Sequence, residues 1–245
     1  ECISEIVYIN KTGISWHDMR SHIPSGTLHK TYMKLCSLSI FKLCYKSLLN
    51  KYFTKSRNKR SKFIYTDTSF IPNKKGNCCI GYSKFYNRKN GTKISIITDA
   101  RGTPLDVKCY RGNMYDNIIL LDQLRTSYTE DNFRNHFHDN PTFMADPAYD
   151  CKEIRDLFKS KNINVLIPQN RRNTKNPLKI VKFTAAQKKK YKKRLIIERT
   201  FNRLKNNKRL MARYDRKLET FVGFVYVSKR VPRNPEGLIK YIVGK

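Results

Sequence analysis

Acidic residues are scarce in this 245-residue chain, which has 19 Asp and Glu against 51 Lys and Arg. The formal net charge of +32 exceeds what solubility requires and implies a polyanionic partner such as nucleic acid. Charge does not select an activity, because a ribosomal-type or general RNA-binding protein has the same balance. The many Lys, Asn, Ile and Tyr residues are also typical of an AT-rich coding sequence, which reduces the weight of the charge.

Other features are missing as well. No apolar run approaches the roughly 18 residues that a membrane span needs, and the N-terminus lacks a signal-peptide pattern. None of the seven cysteines belongs to a Cys-x2-Cys pair, which excludes the common zinc and redox motifs. We therefore expect reduced, mostly buried thiols in an intracellular protein without membrane contact. Because the first residue is Glu1 rather than Met, we expect a fragment or a missing start.

The apolar pattern divides the chain into two parts. Residues 1 to about 60 carry helical periodicity, whereas strand-like runs begin near residue 61. We expect a small helical domain over 1–60 and a second domain over 61–230 with a basic insertion near 170–190. A tail follows over 231–245. The segment 51–62 is dense in Lys and Arg, which suits a linker or a solvated edge.

The second part has a recognisable order of elements. Strands are predicted at 62–68, 93–99, 104–109, 142–146 and 163–167, and helices at 115–127, 151–160 and 184–206, the last with Thr184 as its N-cap. This order predicts an α/β fold, a mixed sheet with helices on its faces. It resembles the ribonuclease-H-like fold, in which acids on the first strand, the fourth strand and a later helix converge. Asp67, Asp146 and Glu198 lie on those three elements.

The helix around Glu198 carries the most specific pattern, Tyr191-x2-Arg194-x3-Glu198-x6-Lys205. At about 100° per residue these four side chains share one narrow face. An apolar stripe in the adjacent arc would seat the helix on the sheet, and it consists of Ile197, Phe201 and Leu204. The alternative is a solvated basic face with ordinary ion pairs at i,i+4 spacing.

This segment resembles the Tyr-Arg-Glu-Lys signature of the DDE insertion-sequence transposases. In that family the Glu is the third metal-binding acid, and the Arg and Lys contact DNA phosphates. The resemblance implies that Asp67, Asp146 and Glu198 are the catalytic and metal-binding residues. It also implies three DNA-binding residues, which are Tyr191, Arg194 and Lys205.

Further motifs extend the resemblance over residues 10 to 228. They are Gly13-Ile-Ser-Trp16, Tyr65-Thr-Asp67-Thr-Ser69, Asp99-x-x-Gly102-x-Pro104-Leu105, Gly112-Asn113-x-x-Asp116, Ala145-Asp146-x-x-Tyr149-Asp150, Glu198-Arg-Thr-Phe-x-x-Leu204-Lys and Arg213-Tyr214. Pro147-Ala148 departs from the pattern, because the family commonly has Lys-Gly or Lys-Ala there. We expect this departure to alter a substrate contact. The tail over 232–245 matches no motif of the family.

The resemblance implies a DNA transposase that hydrolyses phosphodiester bonds and transfers strands at the ends of a mobile element. Two Mg²⁺ or Mn²⁺ ions on carboxylates suit that chemistry. The implied partner is double-stranded DNA, both element ends and target, bound by a homodimer wherever the genomic DNA lies. Residues 1–60 are expected to help bind the ends. The alternative is a catalytically inactive, transposase-derived DNA-binding protein, which would gain nothing from three converging carboxylates.

Overall fold

The structure, a computed structural model, describes residues 1–54, 60–129, 137–173 and 180–229, with the backbone alone at 128 and 129. The expected tail over 231–245 and part of the expected basic insertion lie outside these residues. The helices are α1 (Cys2–Thr12), α2 (Ser25–Ser37), α3 (Ile40–Thr54), α4 (Asp116–Thr129), α5 (Lys152–Ser160), α6 (Ala185–Tyr191), α7 (Leu195–Lys205) and α8 (Leu218–Val227). The strands are β1 (Ser61–Pro72), β2 (Gly81–Ser83), β3 (Lys89–Thr98), β4 (Pro104–Arg111), β5 (Phe137–Met144) and β6 (Asn164–Leu166).

The strands form one mixed sheet. Antiparallel pairing joins β3 to β1, β2 and β4, whereas β5 runs parallel to both β1 and β6. Apart from the short β2, the order across the sheet is β4-β3-β1-β5-β6. This topology confirms the predicted ribonuclease-H-like fold. Strand β2 was not predicted, because three residues are too short for a periodic apolar pattern.

Alternating residues of the central strands enter two separate hydrophobic clusters, one on each face of the sheet. Ile96 of β3 belongs to one cluster and Ile97 to the other, and Met144 and Phe143 of β5 divide in the same way. The first cluster contains side chains of α7, α8 and the N-terminal helices, and the second contains those of α4 and α5. The sheet is therefore the middle of three layers.

Helix α7 packs on the sheet through the stripe that the sequence predicts. The exposed fractions of Ile197, Phe201 and Leu204 are 0%, 7% and 3%. Burial of one such side chain is worth about 1.5–3 kcal/mol, so the stripe fixes which face of α7 points away from the sheet. Tertiary packing thus sets the direction of the polar side chains on this helix.

The predicted single helix over 184–206 is wrong in one respect. A 3₁₀ turn at Lys192–Arg194 separates α6 from α7. The turn lies between two tertiary anchors, a hydrogen bond of Tyr191 and an ion pair of Arg194. Since a 3₁₀ turn is wound more tightly than an α-helix, it changes the angle between side chains before and after it. The predicted N-cap is confirmed, because Thr184 and Gln187 form a reciprocal capping box.

The N-terminal helices pack against α8 and share its hydrophobic cluster. The hydroxyl of Tyr32 on α2 donates to the carbonyl oxygen of Thr220 at 2.5 Å. The hydroxyl of Tyr45 on α3 donates to the carbonyl oxygen of Pro104, at the start of β4, at 2.8 Å. The helical region is thus joined to the sheet. A domain boundary near residue 60 stays a prediction.

The seven cysteines are free thiols, but the expectation that most are buried is wrong. Cys36 is buried, Cys78 is exposed, and the other five are half-buried. Several of them lie at element ends and in loops rather than in the apolar stripes. Within the described part of the chain, no helix has both the length and the apolar character to cross a membrane.

Candidate active site

Asp67 and Asp146 meet because of the register of two parallel strands. Tyr65 of β1 pairs with Met144, the last residue of β5. Asp67 and Asp146 each lie two residues further along the chain, and side chains two apart point to the same face of a sheet. Asp67 within β1 and Asp146 just beyond the end of β5 therefore lie on the same face of the sheet at the same level.

The surroundings of Asp67 disfavour its charge. Burial raises the pKa of this carboxyl from 3.8 to about 6, and the negative charges of Asp146 and Asp116 contribute to the rise. A hydrogen bond from the backbone N–H of Thr68 to Oδ1, at 2.8 Å, and the charge of Arg194 act in the opposite direction. At neutral pH, the positive charge near the Asp67 carboxylate therefore does not offset the effect of its burial.

Arg194 links Asp67 to Glu198. One terminal nitrogen of the guanidinium lies 3.3 Å from Asp67 Oδ2, and the other lies 3.3 Å from Glu198 Oε1. The side chains of Arg194, Asp67 and Glu198 are 18%, 27% and 48% exposed. The pair with Glu198, whose side chain is about half exposed, contributes about 1 kcal/mol or less, whereas the pair with Asp67 is largely shielded from solvent. Arg194 therefore holds Glu198 only weakly.

Tyr191 contacts the same edge of the sheet. Its hydroxyl donates to the carbonyl oxygen of Ala145 at 3.1 Å, next to Asp146. Its ring centre lies 5.8 Å from the guanidinium carbon of Arg194. Lys205 lies apart from this group, exposed on the last turn of α7, and forms no ion pair with any described residue. The structure thus brings three of the four predicted helix residues to the acids.

The side chain of Asp146 is fixed by the turn that follows it. Its Oδ1 accepts a hydrogen bond from the backbone N–H of Ala148 at 2.6 Å and caps a 3₁₀ turn, Pro147–Tyr149. Proline at the first position of such a turn has a suitable φ and needs no hydrogen-bond partner. The departure at Pro147-Ala148 therefore forms a stable turn, and its effect on a substrate contact stays a prediction.

A second polar group, which the sequence motifs did not predict as part of the site, lies beside the acids. Asp116, the first residue of α4, accepts hydrogen bonds through Oδ1 from Thr68 Oγ1 and from Lys93 Nζ, both at 2.8 Å. Nζ of Lys93 also donates to the carbonyl oxygen of Met114 at 2.8 Å. Two signals pointed to this group. Lys93 is a charged residue at the start of an apolar strand, and Asp116 belongs to the Gly112-Asn113-x-x-Asp116 motif.

The side chains have the chemistry of a divalent-cation site without its assembled geometry. Among the described residues, no group of three or more His, Cys, Asp or Glu side chains is close enough to hold a metal ion. Arg194 lies between Asp67 and Glu198 and neutralises both in part. Carboxylate oxygens are nevertheless the donors that Mg²⁺ and Mn²⁺ prefer.

One protein family matches the part of the chain that contains the candidate site. A family model described as a transposase DDE domain matches residues 61–228, which is more than half of the chain. The chain belongs to the transposase DDE domain family. All three candidate acids lie within the matched residues. No curated protein matches the sequence.

Solved transposase structures are similar to this transposase domain at low identity. A piggyBac transposase synaptic complex with hairpin DNA matches with a TM-score of 0.46 and 7% identity, over 69% of this chain and 45% of the other. The catalytic domain of Mos1 mariner transposase matches with a TM-score of 0.32 and 13% identity, over 78% of this chain and 93% of the other. This chain therefore spans less than half of the piggyBac transposase chain.

Proposed function

We propose that the chain is a metal-dependent DNA transposase that hydrolyses phosphodiester bonds and transfers strands at the ends of a mobile element. One observation supports this proposal above the others. Two carboxylates lie at the same level of neighbouring chain segments, Asp67 within β1 and Asp146 just after the end of β5, and a third, Glu198, is joined to Asp67 through Arg194. In a chain of net charge +32, a cluster of acids needs a specific function.

The charge deficit at Asp67 supports a divalent cation there. A carboxyl whose pKa rises to about 6 through burial and through like charges gains stability when a cation arrives. Asp67 and Asp146 would hold Mg²⁺ or Mn²⁺, and Glu198 would complete the donor set once Arg194 releases it. When bound, two such ions activate a water for attack and stabilise charge on the leaving 3′ oxygen.

Arg194 and Tyr191 have separate roles beside the acids. Arg194 serves as the cation for the acids until substrate binds, and its planar guanidinium then suits a DNA phosphate. Release of Glu198 costs little because its side chain is 48% exposed, and at the less exposed Asp67 the arriving cation would replace the charge of Arg194. Tyr191 keeps the start of this helical segment against Ala145, so the guanidinium stays beside the carboxylates in either arrangement.

Double-stranded DNA is the proposed partner, bound by a homodimer. No residue of α6 is buried, and this helix carries Lys188, Lys189 and Lys190 immediately before the site. Lys192 and Lys193 follow and are exposed as well. Such a row can neutralise successive phosphates of a DNA backbone. Lys205 is exposed on α7 and can contact another phosphate.

Two measurements test the proposal. Calorimetric titration with Mn²⁺ should give binding to the wild type and little binding to Asp67→Ala, Asp146→Ala or Glu198→Gln. Duplexes carrying the inverted repeats that flank the coding sequence should be cleaved in Mg²⁺ by the wild type alone. Asp139→Asn is the matched control, because Asp139 lies on β5 with a 91% exposed side chain. This variant should bind metal and cleave normally.

The alternative, a catalytically inactive DNA-binding protein, predicts a different pattern. Arg194 would then be the permanent partner of Asp67 and Glu198, and Mn²⁺ would not bind. Duplex affinity would be the same in chelator and in Mg²⁺, and no cleavage would follow. That result, or full-rate cleavage by any of the three acid variants, would refute the proposed function.

A further inference from the structure

The loop between β2 and β3 combines a sharp turn with an unusual composition. Ser83 pairs with Lys89, so five residues form the loop, Lys84-Phe85-Tyr86-Asn87-Arg88. Asn87 and Arg88 both have φ of 52°, a left-handed conformation that side chains other than glycine rarely adopt. Two such residues in succession turn the chain sharply and fix the directions of the side chains before them. We call residues 84–89 the aromatic tip.

One aromatic ring anchors the tip. The ring of Tyr86 stacks on Phe70 of β1, with 4.5 Å between ring centroids and 4° between ring planes. The other side of the Phe70 ring is packed against the backbone, since a Cβ at Gly91 or at Gly112 would collide with it. Glycine is required at these two positions because the ring approaches so closely. Tyr86 is thus the inner residue of the tip.

The other aromatic ring is left in solvent. Phe85 is 84% exposed, although burial of a Phe side chain is worth about 1.5–3 kcal/mol. Lys84, Arg88 and Lys89 surround it in sequence, are exposed, and form no ion pair with any described residue. An exposed ring among three free cations is a composition suited to single-stranded nucleic acid, which offers both base faces and phosphates.

The tip lies beside the candidate active site. Burial raises the pKa of Tyr86, and the charges of Asp116, Asp67 and Asp146 raise it further. The ring under Tyr86 belongs to Phe70, which pairs with Lys93 of β3, and Lys93 Nζ lies 2.8 Å from Asp116 Oδ1. Because Phe70 lies three residues after Asp67, the two side chains point to opposite faces of β1, and the tip lies on the face of Asp116. A DNA strand that passes from the acids to the Asp116 side of the sheet would meet the tip.

We propose that the aromatic tip binds an unpaired base at a DNA end, with Phe85 stacked on the base and Lys84, Arg88 and Lys89 on the adjoining phosphates. The inference rests on the proposed function, because strand cleavage is what creates such an end at this site. An unpaired base is required, since the faces of paired bases inside a duplex are already covered by their neighbours.

The test compares two probes in Ca²⁺ and in the absence of cleavage. One is a duplex with a two-base overhang that contains 2-aminopurine, and the other is the same duplex with a paired end. Stacking on Phe85 should quench the overhang's fluorescence. Phe85→Ala should weaken overhang binding about fivefold or more, leave binding of the paired duplex unchanged, and abolish the quenching. Phe85→Trp should restore overhang binding and the quenching. Met211→Ala, at a 61% exposed apolar side chain, is the control and should resemble the wild type.

Three results would overturn the inference. If Phe85→Ala weakens binding of both duplexes equally, the ring makes a general contact to the DNA backbone. If Phe85→Ala weakens binding of neither duplex, the ring does not contribute to DNA binding. Loss of self-association by this variant, with DNA binding intact, would assign the tip to a second copy of the chain. A different result would refute the proposed function alone. The acid variants would cleave DNA normally, while the wild type would still quench the fluorescence of the overhang.

Discussion

The Asp67→Asn variant should be more stable than the wild type in the absence of metal. Once Mn²⁺ is present, the variant should be the less stable of the two. The difference between the ordinary carboxyl pKa of 3.8 and the value of about 6 for Asp67 corresponds to about 3 kcal/mol. Because the folded-state pKa is the higher one, this penalty is absent below about pH 4. The penalty grows between about pH 4 and pH 6 and is complete above about pH 6.

The neutral amide of Asp67→Asn escapes that penalty. At pH 8 in chelator, the melting temperature of the variant should exceed that of the wild type by up to about 6–12 °C, taking about 2–4 °C per kcal/mol for a chain of this size. The gain should shrink as the pH falls below 6 and vanish near pH 4. Scanning calorimetry or thermal denaturation followed by circular dichroism measures both trends.

Addition of Mn²⁺ at pH 8 should reverse the order of the two melting temperatures. A ligand at a thousand times its dissociation constant stabilises the folded state by about 4.1 kcal/mol, which exceeds the penalty of about 3 kcal/mol, and only the wild type keeps the full proposed donor set. Asp139→Asn should follow the wild type throughout. The reasoning is refuted if Asp67→Asn melts at or below the wild type in chelator at pH 8, or if Mn²⁺ stabilises both proteins equally.

Three further outcomes are expected. Asp146→Ala and Glu198→Gln should cleave no DNA yet bind duplex nearly as the wild type does, because the proposed role of these acids is to hold metal rather than phosphate; a gel-shift assay beside the cleavage assay checks this, and lost binding would contradict it. Duplex affinity should fall steeply with salt, by a slope of about −0.9 per neutralised phosphate on logarithmic axes, and a flat plot would show that the positive charge does not bind DNA. Lys205→Ala should change folding stability by about 0.5 kcal/mol or less and lose most strand transfer, and unchanged joining rates would remove Lys205 from the site.

The spacing of apolar residues in the sequence is enough to predict much of the fold. The β-type run along 93–99 predicts a strand, and the stripe through Ile197, Phe201 and Leu204 predicts which face of a helix is buried. The N-cap at Thr184 is equally local, because a hydroxyl three residues before Gln187 is enough to form the capping box. Such features survive folding because tertiary packing reinforces them.

Tertiary structure alone decided how the acids relate to one another. The bridge from Asp67 through Arg194 to Glu198 spans 127 residues of chain between its first two members, and no spacing rule predicts it. The 3₁₀ turn before α7 follows from anchors at both of its ends, which local propensity does not include. The sequence by itself determined that acids, a basic helix face and a mixed sheet would be present. Their distances, and the charge deficit at Asp67, depend on burial and strand register, which exist only in the folded chain.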